Sequence, residues 1–240
     1  MPFPKPCVHA AFLGDAKLEV SSMIEFSPDT PLELQTRLTG ILPVSEIDTV
    51  VVEYFARRSQ YDVLLELSPL PRGRILMLAI DGDGFHGQHG RPWQSGRGNL
   101  YLCMKLEARC ALPPDTWPKL LDVAPTAIVK TITPHIVCPC TRQPVNDIMI
   151  QGKKTAGTLT HCRQDATRFC AFFGIGLNVR FAPECDQPTT CLAHHCPEHV
   201  QAEDLWFTVL RELILHLTDT FEDFVSQHKA SLQPHPPFNA

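Results

Sequence analysis

The chain has no apolar run of the roughly 18 residues that a bilayer span needs. Its opening, Met1-Pro2-Phe3-Pro4-Lys5-Pro6, offers neither an apolar signal core nor an Arg-rich amphipathic pattern. Both absences argue against a membrane partner and make the cytoplasm the expected location. An excess of positive charge is missing too: 21 Lys and Arg stand against 26 Asp and Glu, for a net charge of −5. With no basic stripe and no basic helix pair, nucleic acid is excluded as a main partner. A disulfide framework is also lacking. Ten cysteines are spread irregularly through 240 residues without a signal peptide, which predicts reduced thiols, several of them buried as small apolar side chains. There is no internal repeat, and no low-complexity tract beyond the Pro-rich ends.

What is present suffices for an ordinary core. Apolar residues make up 44% and charged residues 20% of the chain, which fits one large α/β domain, or a domain with a small appendage. Residues 1–8 are Pro-rich and expected to be loose. Residues 32–39 suit a short helix. The 47–58 stretch reads as a helix, with Val51, Tyr54 and Phe55 near one face and Arg57-Arg58 at its C-terminal end. A turn at 69–74 precedes the apolar run 75–80, which has the length of a buried strand. Residues 99–106 read as a second strand, and 112–121 as a connection into a helix. The β-branched clusters of 127–137 suggest extended chain. Residues 148–161 suit a hairpin turning at Gln151-Gly152-Lys153, and 169–180 an apolar strand interrupted by Gly174 and Gly176. From 201 to 229, Trp206, Val209, Leu210, Leu213, Leu217, Phe221 and Phe224 recur at helical spacing. Glu203 and Asp204 open that helix and His228-Lys229 close it. Hairpin-paired strands with helices between some of them point to an α+β or α/β sheet.

Three constellations carry chemistry. The first is Asp81-Gly82-Asp83-Gly84-Phe85-His86-Gly87-Gln88-His89-Gly90-Arg91-Pro92-Trp93, whose four glycines let backbone N–H groups approach a ligand. Arg91 can grip a phosphate or carboxylate in fork geometry. A glycine cluster read alone marks a loop first. The second is Asn146-Asp147-Ile148 followed by Lys153-Lys154-Thr155-Ala156-Gly157. Here a carboxylate can hold Mg²⁺ and a lysine across the hairpin can stabilise developing negative charge. The third is Gly174-Ile175-Gly176-Leu177-Asn178-Val179. Two glycines inside a strand mean that something approaches the backbone closely, or else that a helix packs tightly on the strand.

Together, a glycine-rich loop ending Gly-Arg-Pro-Trp, Asn99-Leu100-Tyr101-Leu102, Asn-Asp with Lys154-Thr155-Ala156-Gly157 behind it, and Gly-Ile-Gly-Leu-Asn-Val resemble the catalytic domain of biotin protein ligases. Gln187-Pro188-Thr189-Thr190-Cys191-Leu192 looks like the eukaryotic branch of that family. The resemblance runs from about residue 42 to 224. It implies an α+β fold, a mixed sheet flanked by helices and related to class II aminoacyl-tRNA synthetases. Three segments follow: 1–41, an N-terminal extension that is either an acceptor-recognition element or an extra strand and helix on the sheet; 42–229, the catalytic domain; and 230–240, a tail with no C-terminal β-barrel after it.

The resemblance also implies ATP, biotin and Mg²⁺ as cofactors. The acceptor would be the apo biotin carboxyl carrier domain of a biotin-dependent carboxylase. Lys154 would be the central cation, Asp147 would hold Mg²⁺ or orient the incoming amine, and Arg91 would close over the adenylate. His86, Gly87, Gln88, Gly90, Trp93, Asn146, Gly157, Gly174, Gly176 and Asn178 would bind cofactor, with Asn178 joining Asp147 at the metal. Trp93 is expected at the loop base, and strand residues 99–104 as the wall of the biotin pocket. Two alternatives stay open: a lipoate or octanoate protein ligase, and a ligase-like protein that binds without turnover.

This chain departs from the family at several places. His86 and Gln88 stand where arginines are usual, so the grip on the adenylate is expected to depend on pH. The family's Lys before Asn is Gln143 here, with Arg142 beside it as a substitute, and its Ser-Thr-Asn element is represented by Asp48-Thr49. Cys185, Cys191, His194, His195, Cys196 and His199 crowd one loop, enough for zinc, although Cys185 and Cys191 lack the spacing of a finger pair.

Overall fold

In the computed structural model, residues 23–198 and 200–229 are described. The loose start, the first half of the 1–41 extension, His199 and the 230–240 tail lie outside them. Eight strands form one mixed sheet: β1 (Met23–Phe26), β2 (Thr49–Glu53), β3 (Ile75–Ala79), β4 (Leu100–Ala108), β5 (Cys140–Gln143), β6 (Asp147–Ile150), β7 (Lys153–Gln164) and β8 (Phe169–Leu177). Their spatial order is β1-β2-β3-β4-β8-β7-β6-β5. The pairs β1/β2 and β2/β3 are parallel and every other pair is antiparallel. Parallel strands are covered on both faces and so read as continuous apolar runs; all five residues of β3 are buried.

Four helices join them: α1 (Leu32–Ile41), α2 (Gln60–Glu66), α3 (Val123–Ile132) and α4 (Ala202–His228). Helices α1, α3 and α4 share one core with a single face of the sheet, where Leu38, Ile128, Leu210 and Leu213 meet Val50, Leu76, Met104 and Phe173. Phe221 of α4 packs its ring against Phe169 and Phe173. The opposite face carries α2, whose Leu64 joins Val51, Ile75, Met77, Cys103 and Phe172 in a smaller cluster. Because α2 covers only part of that face, the surface over β4, β8, β7 and β6 stays open to a ligand. The nine cysteines of the described residues are free thiols.

Two elements differ from expectation. Residues 47–58 form a strand and a turn, not a helix. Thr49-Val50-Val51-Val52 is a β-branched run, stiff at χ1 and well suited to a pleated surface, and two strands enclose it. The 127–137 stretch is helical, within α3 and a following 3-10 turn at Thr133–His135. Its β-branched residues gave the wrong signal because packing decides here. Ala124, Ala127, Ile128, Thr131 and Ile132 fall on one buried face, and α3 is tied to α4 by Thr131–His216 and Lys130–Thr220 hydrogen bonds.

Candidate active site

A single row crosses the open face of the sheet: Ala79, Tyr101, Gly176, Gly157 and Asp147 stand side by side on β3, β4, β8, β7 and β6. Paired residues point to the same face, so two adjacent glycines make a trough with Tyr101 at one end and Asp147 at the other. Lys154 comes to this face through an irregularity. Asp147 pairs with Gly157 and Ile148 with Ala156, but Met149 pairs with Lys154. Thr155 is therefore an extra, bulged residue. A bulge re-aims the side chains beyond it, and this one turns Lys154 onto the face that carries Asp147, leaving Lys153 exposed at the hairpin end.

Lys154 Nζ lies 2.8 Å from Asp147 Oδ1, with side chains 14% and 19% exposed, and 5.2 Å from the centre of the Trp93 ring. The Lys154 ammonium is thus the charged partner of this buried oxygen. The Lys154 backbone is bound on its outer side, its N–H donating to the Pro188 carbonyl and its carbonyl accepting from Thr190 N–H, both at 2.9 Å. The Gln-Pro-Thr-Thr segment is thereby fixed as the wall beside the lysine.

The glycine-rich loop is ordered by packing. Gly82 bridges to Ala56. A Cβ at Gly82 would come within 2.4 Å of the Ala56 carbonyl oxygen, and one at Gly84 within 2.4 Å of that of Arg57. These two glycines thus seat the loop on the β2–α2 connection rather than offering backbone to a ligand. Beyond them the loop doubles back, with Gly87 N–H donating to the Arg91 carbonyl (2.7 Å) and Trp93 N–H to that of Phe85 (3.0 Å). His89 and Gly90 take left-handed φ of 59° and 69° at the tip. Trp93 then lies down on the trough: a Cβ would meet its indole at 2.9 Å from Gly157 and 2.7 Å from Gly176. Its Nε1 is buried with no partner. Tyr61 of α2 covers Gly174, at 2.9 Å by the same measure. The strand glycines are thus closely approached, by Trp93 of the loop over Gly157 and Gly176 and by Tyr61 of helix α2 over Gly174.

The resulting cavity measures about 610 Å³. Of the residues singled out in the sequence, His86, Gly87, Gln88, Arg91, Trp93, Asn146, Asp147, Lys154, Gly157, Gly174, Gly176 and Asn178 line it. Gly90 faces an adjoining groove of about 400 Å³ instead. Tyr101 and Leu102 supply the contribution of β4. Because side chains alternate along a strand, Leu100, Leu102 and Met104 all face the helices, so Tyr101 is the β4 side chain that reaches the cavity, Leu102 borders it only along the strand, and the 99–104 wall is narrower than expected.

Several side chains arrive already engaged. Asn178 is 1% exposed; its Oδ1 accepts from Asn99 Nδ2 (3.3 Å) and its Nδ2 donates to the Thr190 carbonyl (3.1 Å). Asn146 Nδ2 donates to the Thr158 carbonyl at 2.8 Å. The His86 ring faces acceptors on both sides, Asp62 Oδ2 at 2.7 Å from Nε2 and the Gly87 carbonyl at 3.1 Å from Nδ1. Only an imidazolium donates at both nitrogens. In agreement, the backbone bond to Gly87 and the pairing with Asp62 outweigh desolvation and raise the His86 pKa.

Three residues outside the motifs belong to the site, and a fourth, from the Asn-Leu-Tyr-Leu motif, braces it. Ser59, Gln60 and Tyr61 line it from the start of α2, which corrects the Asp48-Thr49 assignment. Asp48 sits at the far end of β2, its carboxylate accepting from Arg74 N–H at 2.7 Å. Asn99 is the fourth. Its Oδ1 accepts from the N–H groups of Val179, Arg180 and Phe181 at 2.9–3.1 Å, holding the chain after β8 in place. Its position just before an apolar strand was the available signal. Arg142 does not replace the missing lysine, since it bonds Asp122 and Thr126 at α3 and lies outside the cavity. The cysteines and histidines of the 185–196 loop do not converge. Cys138 Sγ and Thr190 Oγ1 flank His195 at 3.5 and 2.8 Å, and no three His, Cys, Asp or Glu among the described residues are placed to hold a metal ion. No helix among those residues is long and apolar enough to cross a membrane.

No protein-family model matches the chain. Over 162 residues, 65% of its length, it is 28% identical to the bifunctional ligase/repressor BirA of Bacillus subtilis, and equally to that of Bacillus spizizenii. The match takes in 48% of each relative, so the chain spans about half the length of the curated relatives it matches. Among solved structures, the biotin protein ligase of Aquifex aeolicus in complex with biotin and ATP superposes with a TM-score of 0.56 at 21% identity, covering 75% of this chain and 72% of that one. That of Leishmania major in complex with biotinyl-5-AMP gives 0.51 at 20%, covering 80% and 85%. The fold is that of the biotin/lipoate ligase catalytic domain, and both of these solved neighbours are biotin protein ligases, as the motifs lead one to expect.

Proposed function

We propose that this chain is an ATP-dependent biotin protein ligase that forms biotinyl-5'-adenylate and passes biotin to a lysine of a carboxylase carrier domain. The observation that carries the reading is the Lys154–Asp147 pair at the polar end of the trough, brought there by a bulge and roofed by Trp93. In the first step the acid's carboxylate attacks the α-phosphorus of ATP and pyrophosphate leaves. In the second, a neutral lysine amine attacks the acyl carbon and AMP leaves. Both steps gather negative charge on oxygen. A cation fixed in a site that excludes water stabilises such charge with little reorganisation. Lys154 is that cation, and Arg91 is the exposed partner at the cavity rim that would close over the phosphate. Oδ1 of Asp147 is paired with the Lys154 ammonium at 2.8 Å, so a divalent cation would be held through the other oxygen of that carboxylate. Mg²⁺ bound there would offset phosphate charge, and Asp147 would orient the incoming amine. Asn178 spends its amide on Asn99 and Thr190, so it serves to position the end of β8 beside the metal ligand. Trp93 and the loop exclude water from a hydrolysable adenylate.

The test is pyrophosphate release with ATP and Mg²⁺, comparing biotin, lipoate and octanoate. Release is expected with biotin. Lys154→Ala should lower its rate by about two orders of magnitude or more, the size seen when one preorganised donor is removed, about 3 kcal/mol, while Lys153→Ala should leave it unchanged. Release with only lipoate or octanoate would reassign the enzyme to the sister activity. No release with any acid would make it a ligase-like binding protein.

A further inference from the structure

The end of the trough opposite Lys154 is closed by a side chain of the glycine-rich loop to which the proposed function gives no role. Phe85 stacks on Tyr101, with ring centres 4.5 Å apart and planes inclined by 16°, and both line the cavity. The stack is held from every side. A Cβ at Gly82 would come within 2.8 Å of the Phe85 ring, so a bare α-carbon is what lets the ring lie flat. The Phe85 carbonyl accepts from Trp93 N–H. The Tyr101 hydroxyl is anchored at Gly96, which donates its N–H at 2.8 Å.

Tyr101 stands three strands from Asp147 along the row, about 14 Å at the usual strand spacing. Trp93 fills the row between them, over Gly157 and Gly176, so an acid whose carboxylate lies at Lys154 would extend across the indole, within the one cavity that Lys154, Trp93, Phe85 and Tyr101 line together, towards the stacked rings. No polar group is presented by the Phe85 ring, so its contribution is shape. We propose that Phe85 is the specificity-determining residue that sets how long an acyl group the pocket accepts. This rests on the reading of the cavity as a carboxylic-acid site.

Direct binding tests it without chemistry. Isothermal titration of the full chain with biotin, octanoate and dodecanoate, in the absence of ATP, should show dodecanoate disfavoured in the wild type. Phe85→Ala should improve dodecanoate relative to octanoate by about tenfold or more, the scale on which a pocket discriminates a methylene or two. Phe85→Leu should fall between, and carries the test should the alanine variant not fold. An unchanged dodecanoate-to-octanoate ratio in folded variants overturns the proposal, as does the absence of any acid binding in the wild type. A shifted ratio with no pyrophosphate release from biotin and ATP would sustain the role of Phe85 while removing the ligase reading.

Discussion

A residue acts through what its neighbours allow, and His86 shows this most directly. Both of its ring nitrogens face acceptors, so the bond to Asp62 on α2 as an ion pair and the bond to Gly87 on its own loop exist together only in the protonated ring. The groups around it are the Asp62 carboxylate on α2 and the Gly87 carbonyl on its own loop. The histidine pKa is raised from its ordinary 6.5. The latch is therefore complete below that ordinary value and is lost as pH rises through the raised one. Adenylate release should accordingly quicken from about pH 6 to about pH 8, the range in which imidazoles lose their proton, and His86→Asn should flatten the profile. A flat wild-type profile would refute the latch. Much of this scale was legible: Lys154, Asp147, Trp93 and the glycines come straight from motif and spacing. Ser59, Gln60 and Tyr61 were not, because they enter the cavity through chain packing that no local pattern encodes, and Phe85 was in view within the glycine-rich loop but without its stacking partner. Two loop glycines were legible as glycines but not in purpose, since what they approach is the chain at Ala56 and Arg57.

At the scale of elements, the strand glycines and the bulge do the placing. Helix α4 and strands β3, β4 and β8 were readable from periodicity and apolar runs. The β-branched run of β2 passed for a helix and α3 for a strand, because short segments are decided by what they pack against. The bulge at Thr155 was invisible for a different reason. Strict alternation would put Lys154 on the face opposite Gly157, and only the pairing register reveals that it shares the face of Asp147. The same logic makes Gly176 a sensitive position. Gly176→Ala places a methyl 2.7 Å from the Trp93 indole, within a packed sheet where the strand cannot yield. Trp93 must lift from the trough. Biotin affinity should fall by about tenfold or more, the scale of a misplaced pocket contact, and tryptophan emission should shift to the red as the indole meets water. An unchanged emission spectrum and affinity would show that Trp93 has room the structure does not display.

The whole molecule divides along its sheet, with helices α1, α3 and α4 holding one face and the cavity occupying much of the other. Stability then has to come from the side that carries no ligand and from the edges of the site face. Lys105 is the clearest such support. It points to the site face from β4 but lies beyond the cavity, fully buried, its ammonium donating to the Gly73 carbonyl at 2.5 Å and to Glu107 at 2.8 Å. It thus ties the turn before β3 to β4. Removing one member of a buried pair leaves the other charge without compensation, which costs more than the pair itself contributes. Lys105→Met should therefore lower unfolding free energy by about 3 kcal/mol, at the low end of that effect because Arg168 stands 3.7 Å from Glu107 and takes up part of its charge. Urea denaturation gives the shift in midpoint. Replacing Glu107 by Gln in the same chain should recover part of the loss, since no carboxylate then remains unpaired in the interior. A double variant no more stable than Lys105→Met would mean that the lysine supports the fold through its stem and the Gly73 bond, and that the buried charge pair adds little to the whole.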